Sequence, residues 1–385
     1  MNVLLLSPHF PPNFQRFSTA LKEAGANVLG IGDAPYDGLS APLQAALGEY
    51  VHVHNMCHYD GLLRTAGLLT YKHGKIERID SHNEHWLGLE AQLRHDFGAF
   101  GQKPADLAFN RRKSGMKEIF RQAGVRAPAG EVVTSAEQVR AFVKLHGFPI
   151  VFKPDIGVGA ERVFRVDHEE QLAGVLAYLP KDYFVEAFVS GTLVSFDGLT
   201  DREGGIVFFA SHQVSSGIME IVTEQRPVHY YYRREIPARI EEAGRKVVHA
   251  FRILERFFHV EFIVGQDGEC AALEVNVRPP GGYSLDMMNW SCDIDLYRAW
   301  ADLLVCGDSH FDYERKYNVA HVARRQALRY RRSHEEVLRD VAPLLVTHMP
   351  LPKLFRVAMG DYAYYLRHPD LDTLQEAVAR VEEQS

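Results

Sequence analysis

Residues 259–282 read HVEFIVGQDGECAALEVNVRPPGG, and this segment constrains the chain more than any other. Two apolar runs, 260–264 and 270–277, flank Gly265-Gln266-Asp267-Gly268, a turn composition suited to a β-hairpin. Side chains of a strand alternate in direction, so Glu274 and Asn276 point to one face. If Val264 pairs with Glu269, Glu261 falls opposite Ala272, on the same face and diagonal to Glu274. Diagonal neighbours lie about 7–8 Å apart at the backbone, within reach of two Glu side chains meeting at one point.

Two carboxylates and an amide gathered on an apolar hairpin repel without a cation, and one would have to protonate. Magnesium answers this need, because it takes hard oxygen ligands from a few carboxylates and from phosphate. Glu261, Glu274 and Asn276 are the expected ligands, and manganese would serve the same donors. The competing expectation is a two-sided strand with Glu274 and Asn276 in solvent.

A second segment, FPIVFKPDIGVGAERVFRV over 148–166, puts Lys153 at the end of a strand and Gly157 and Gly159 in the loop that follows. Glycines let backbone approach a phosphate closely, and a Lys adds a point charge. The loop is neither a Walker A sequence nor a dinucleotide fingerprint, since Gly-Lys-Ser/Thr is absent and Arg162 stands where a third Gly belongs.

These pieces occur in the order of the ATP-grasp superfamily, which the chain resembles from about Val3 to about residue 307. The resemblance is to carboxylate–amine and carboxylate–thiol ligases, with carbamoyl-phosphate synthase large chain and biotin carboxylase in the same superfamily. It implies a mixed α/β and α+β fold: an N-terminal Rossmann-like α/β domain (1–108), a lid (109–187), a larger lobe with the metal site (188–308) and a small C-terminal subdomain (309–385). RRKSGMKEIFRQAGVRAP resembles the segment before the lid, so Lys113 would approach the ATP phosphates, as would Lys153, with Gly157 and Gly159 in the loop above them. YFVEAFV resembles the hinge. There Glu186 and the backbone of Ala187 and Val189 would hold adenine, with Phe188 packed nearby. Glu261, Glu274 and Asn276 match the magnesium ligands, and Arg278 the Arg that stabilises the transferred phosphoryl group. The acid that many relatives place on the ribose falls at Leu193 here, and Asp197 is the substitute the sequence offers.

The implied reaction is activation of a small carboxylate, an amino acid or related acid, as an acyl phosphate, followed by attack of an amine and release of ADP and phosphate. The alternatives are a small-molecule kinase and a nucleotide-binding regulatory protein without turnover. Gly281, Gly282, Tyr283 and Asp286 follow the metal strand and would border the acceptor pocket, and Arg278 suits a substrate carboxylate as well as a phosphate. Residues 215–234, with Tyr230, Tyr231 and Tyr232, read either as a substrate-covering loop or as a surface connection. Among the histidines, His82, Glu84 and His85 would border the first domain's cleft. His52, His54, Cys57 and His58 read as an alternating strand and loop rather than a metal cluster.

Composition excludes other classes. The chain has 385 residues, enough for two or three domains, and its 46% apolar and 24% charged content is that of a globular enzyme. With 43 basic against 50 acidic residues the formal charge is −7, a poor match to nucleic acid. The arginines at 324, 325, 329, 331 and 332 therefore read as a solvated strand face or an ion-pair network rather than an RNA site. No stretch suits a membrane span or a signal peptide, and the four cysteines form no CxxC pair, so a cytoplasmic protein acting on small molecules is expected. A homodimer is within the expectation, since relatives are often dimers.

Overall fold

Four short runs of mostly aliphatic residues near the N-terminus form a parallel sheet: β1 (Asn2–Leu6), β2 (Asn27–Gly32), β3 (Leu47–His52) and β4 (Ile76–Asp80), in the order β3-β2-β1-β4. Parallel strands need crossovers, and helices including Gln15–Glu23 and Tyr59–His73 supply them. The structure, a computed structural model, describes residues 1–157, 163–177, 183–215, 228–307 and 311–385. The first helix is opened by a 3₁₀ turn, Pro12–Phe14. Asn13 lies inside that turn, and its amide donates across to the Gly282 carbonyl at 3.0 Å.

The second sheet holds β5 (Gly130–Val133), β6 (Ile150–Pro154), β7 (Phe164–Val166) and β8 (Tyr183–Ala187), antiparallel in the order β5-β8-β6-β7. Helices Ala136–His146 and Glu169–Leu176 cover one face through Val139, Phe142 and Leu172. Ser135 caps the first of these by accepting from Gln138 N–H, while the Gln138 side chain turns back to Thr134.

The third sheet has nine strands: β9 (Thr192–Thr200), β10 (Ile206–Ala210), β11 (His212–Val214), β12 (Val228–Tyr232), β13 (Phe257–Val264), β14 (Cys270–Asn276), β15 (Asn318–Arg324), β16 (Leu345–Pro350) and β17 (Tyr362–His368). The main path runs β14-β13-β9-β11-β12-β15-β17-β16, with β10 paired to β9. Strand pairing therefore crosses residue 308, and the C-terminal stretch shares a sheet with the β13–β14 hairpin. That stretch holds three helices among the described residues. Leu374, Val378 and Val381 of helix Leu371–Glu382 pack on Ala320, Val322 and Leu366 of the sheet.

One expectation needs correction here. Tyr230, Tyr231 and Tyr232 are not in a covering loop. They form a buried interior strand between β11 and β15, while 216–227 lie outside the described residues. The helix that follows β12 runs Ala238–Ala250, and Phe257 opens β13.

A buried ionic cluster fixes the first sheet against the third. Arg256, just before β13, reaches Glu90 at 2.7 Å and Asp80 at 3.3 Å, and its Nε donates to the Val277 carbonyl at 2.9 Å. Burial alone would raise the Asp80 pKa, but Arg256, His82 and Arg94 hold it well below the usual carboxylate range. This brings the end of β4 beside the end of β14. The arginines at 324–332 do form a structural network: Arg324 donates to the Val381 and Arg332 carbonyls, and Arg331 and Arg332 both pair with Glu383.

Candidate active site

The β13–β14 hairpin carries a bulge that the sequence does not announce. Val264 pairs with Cys270 and Phe262 with Ala272, yet Glu261 pairs with Glu274, so Leu273 is the extra residue. Glu261 thus lies directly opposite Glu274 rather than diagonal to it, and His259 lies opposite Asn276. Burial and the neighbouring Glu261 raise the Glu274 pKa, with Lys113 3.8 Å away opposing them. Two opposed carboxylates with an amide beside them are the hard-oxygen donor set a magnesium ion takes, with phosphate oxygens completing it. His52 and His54 meet edge to face with ring centres 4.9 Å apart, and the Cys57 N–H is bonded to the Asn55 side chain.

Behind Glu261 runs a polar row across the sheet. His259 Nε2 is 3.2 Å from Glu261 and its Nδ1 is 2.6 Å from Asp197, the residue paired with it on β9. Asp197 also accepts from Ser195 at 2.6 Å and Tyr232 at 2.8 Å, and its Oδ2 lies 2.9 Å from His212 Nδ1. Burial would lower the His259 pKa, but Asp197 and Glu261 carry it up to about 10, so the ring stays cationic. Asp197 is fully buried within this network, which leaves no carboxylate oxygen for a ribose and corrects that expectation. Nothing in single-sequence spacing marks His259; only its pairing with Asp197 reveals it.

Helix Lys113–Gln122 and the strands β6 and β8 bring the lysines together. Asp155, just after β6, accepts from Ser114 N–H at 2.9 Å and from the Ser114 hydroxyl at 3.0 Å, and its carbonyl accepts from Lys113 N–H. The base of the lid loop is thereby tied to the first turn of the helix, and Lys113 Nζ comes within 3.5 Å of the Gly157 carbonyl. Gly159 lies outside the described residues. Lys153 Nζ is 2.8 Å from Glu186 Oε1, and Lys117 Nζ is 2.5 Å from Glu186 Oε2. Lys117 is absent from the sequence expectation, although its spacing of four from Lys113 puts both on one helical face. Glu186 thus spends its side chain on two lysines. The Ala187 N–H is bonded to the Ala129 carbonyl and the Phe188 N–H to the Pro149 carbonyl. Any contact from Ala187 to a base therefore does not use its N–H. Phe188 lies under Arg165, 4.1 Å from ring centre to guanidinium, and Val189 is half-buried beyond it.

Arg278 leaves the end of β14 and meets Glu84, which follows β4. Glu84 Oε2 accepts from Arg278 Nε at 3.0 Å and Nη2 at 2.7 Å. His85 is exposed, and His82 is buried against Phe17 with ring centres 3.6 Å apart. Gly281 borders open space. Gly282 has φ +64° and packs under Met359, and Tyr283 lies against Phe355 and Tyr365. Asp286 is buried and held by Asn13, Arg16 and Tyr297, so its carboxylate is already partnered.

Residues 111–282, the span holding these lysines, the hinge, the opposed glutamates and Arg278, match the ATP-grasp domain. The ATP-grasp match holds for that span, a little under half of the chain. An L-arginine-specific L-amino acid ligase of Bacillus subtilis is 24% identical over 292 residues, covering 70% of this chain and 67% of that protein. A D-alanine–D-alanine ligase of Geobacter sulfurreducens is 27% identical over 184 residues, 42% of this chain and 53% of its own length. The crystal structure of an L-amino acid ligase from Bacillus licheniformis superposes with a TM-score of 0.75 at 15% identity, covering 99% of this chain and 96% of that one. N5-carboxyaminoimidazole synthetase from Staphylococcus aureus, complexed with ADP, superposes at 0.73 and 14% identity over 99% and 97%. At those identities the structures establish the shared fold. No helix among the described residues is long and apolar enough to cross a membrane.

Proposed function

We propose that this chain is an ADP-forming ligase that activates an amino acid carboxylate and joins it to an amine. The observation that carries this reading is the Arg278–Glu84 pair, 2.7 Å apart beside the opposed glutamates. An amino acid has a carboxylate and an ammonium group within one bond of a shared carbon. A guanidinium fork and a carboxylate side by side match that pair of charges. The two L-amino acid ligases among its relatives support the same substrate class.

In this reading Lys113 and Lys153 bind the ATP phosphates, and Arg278 orients the substrate carboxylate toward the γ-phosphorus. Glu261, Glu274 and Asn276 would hold magnesium, which supplies charge neutralisation at the phosphate oxygens. A carboxylate oxygen attacks the γ-phosphorus as the bond to the ADP oxygen breaks. The incoming amine then attacks the carbonyl carbon, loses a proton and expels phosphate. The chain contributes positioning and electrostatic stabilisation, and no side chain is needed as a nucleophile.

The test is ADP and phosphate release from Mg-ATP against pooled amino acids, with hydroxylamine present to trap an acyl phosphate as its hydroxamate and Glu274→Ala as the inactive control. Equal ADP and phosphate with a hydroxamate is the expected result. ADP without free phosphate would make the chain a kinase, and AMP with pyrophosphate would remove the mechanism altogether. Glu84→Gln is expected to raise the amino acid KM by about tenfold while leaving ADP affinity within threefold.

A further inference from the structure

Glu186 sits at the hinge with both carboxylate oxygens taken, and its two lysines come from different elements. Lys153 belongs to β6, and Glu186 on β8 is paired with Val151, two residues away, so the two side chains share a face of the lid sheet. Lys117 comes from the helix packed below, one turn after Lys113. All three residues are buried to similar degree: the side chains of Lys117 and Lys153 are each 11% exposed and that of Glu186 6%. A buried carboxylate left without a cation is strongly destabilising. If Lys153 is to reach a nucleotide phosphate, as the proposed function requires, it must leave Glu186. Something else must then hold that charge.

We infer that Lys117 is the standing counter-ion of Glu186, a positioning residue that frees Lys153 to bind nucleotide phosphate. Three features of the structure fit this division of work. Lys117 and Lys153 occupy different oxygens of Glu186, so departure of one leaves the other in place. Lys153 lies at the end of its strand, two residues before the Asp155 tie that brings the lid loop to Lys113, so it is placed to turn toward that loop. Lys113 already faces the loop and Glu274 rather than Glu186. Both lysines also lie near Glu274 and Glu186, and the like charge of Lys153 adds to burial in lowering the Lys117 pKa to about 8, a measure of how crowded the pair is around one carboxylate.

The inference rests on the nucleotide reading of Lys153 but not on the identity of the amino acid. Its test is therefore ADP binding to the full chain with magnesium and no other substrate, by titration calorimetry. Lys117→Met keeps the stem and removes the charge. In the natural background it is expected to weaken ADP binding by about tenfold or more, because Lys153 becomes the only cation on Glu186; in an E186Q background the same change is expected to cost less than about threefold. Equal losses in both backgrounds would mean that Lys117 touches the nucleotide itself and would overturn the inference, as would no loss in the natural background. Should Lys117→Met fail to fold, E186Q alone decides. It releases Lys153 and is expected to tighten ADP binding by about two- to fivefold, and weaker binding would overturn the proposal. Failure of the unaltered chain to bind ADP would overturn the nucleotide reading together with it, whereas ADP binding without amino acid turnover would strike only the proposed ligation.

Discussion

His259 stands between Asp197 and Glu261 as a buried cation, 2.6 Å from the first and 3.2 Å from the second. Its ring holds Glu261 in line with Glu274 by a bond that reaches back through the sheet to β9. His259→Gln keeps an amide of similar reach but not the charge. It is expected to raise the half-saturating magnesium concentration for ADP binding by about 10- to 100-fold, the usual cost of removing an outer-shell partner. Asp197→Asn should move the same quantity in the same direction. An unchanged magnesium requirement in both would show that Glu261 is positioned by its strand alone.

Gly282 is expected not to tolerate a side chain. Its φ of +64° disfavours any L-residue, and an added Cβ would push aside the flexible end of Met359. Gly282→Ala should lower stability by about 1–3 kcal/mol, read from urea midpoints. Adding Met359→Ala would relieve the clash but not the backbone cost. Full recovery in the double variant would show that the left-handed backbone is not under strain.

Acid should weaken the fold through two buried histidines. Burial lowers the pKa of both His82 and His321 from 6.5 to about 4, with Asp80 partly opposing the shift at His82. Between those values the unfolded chain binds more protons than the folded one. Stability from these two groups is therefore complete above pH 6.5 and falls as the pH drops toward 4, by on the order of 3 kcal/mol for each. The measurement is the urea midpoint from pH 7.5 to 4.5. His321→Phe should flatten the acid limb, and parallel curves for variant and natural chain would refute the assignment.

Arg278→Lys is expected to lose turnover by about 100-fold or more while ADP affinity moves little, because a point charge cannot replace the planar fork that meets Glu84 along two N–H bonds. A matched loss of ADP affinity would instead assign Arg278 to the nucleotide.

What could be read from the residues was local. Lys153 at a strand end, the glycines after it and the paired apolar runs around Gly265–Gly268 all follow from short-range pattern, and so did the choice of Glu261, Glu274 and Asn276. What escaped depends on pairing across long stretches of chain. The bulge at Leu273 forms where Ala272 N–H is drawn to the Arg126 carbonyl, a contact that no local pattern encodes. Asp197 looked free until its neighbours on β11, β12 and β13 were in place. Tyr230–Tyr232 read as a loop because their partner β15 lies far along the chain. Lys117 was hidden by its type: a lysine on a helix resembles any solvated residue until the helix is docked.

The bulge also says where this chain can change length during descent. Loss of Leu273 would restore a regular ladder with the two glutamates still opposed, and the tip at Gly265–Gly268 lies on the far side of that irregularity from the site. One residue gained or lost beyond Glu274 would instead turn Asn276 to the opposite face. Lineages of this protein should therefore accumulate insertions and deletions at the hairpin tip and keep the spacing from Glu274 to Arg278 fixed.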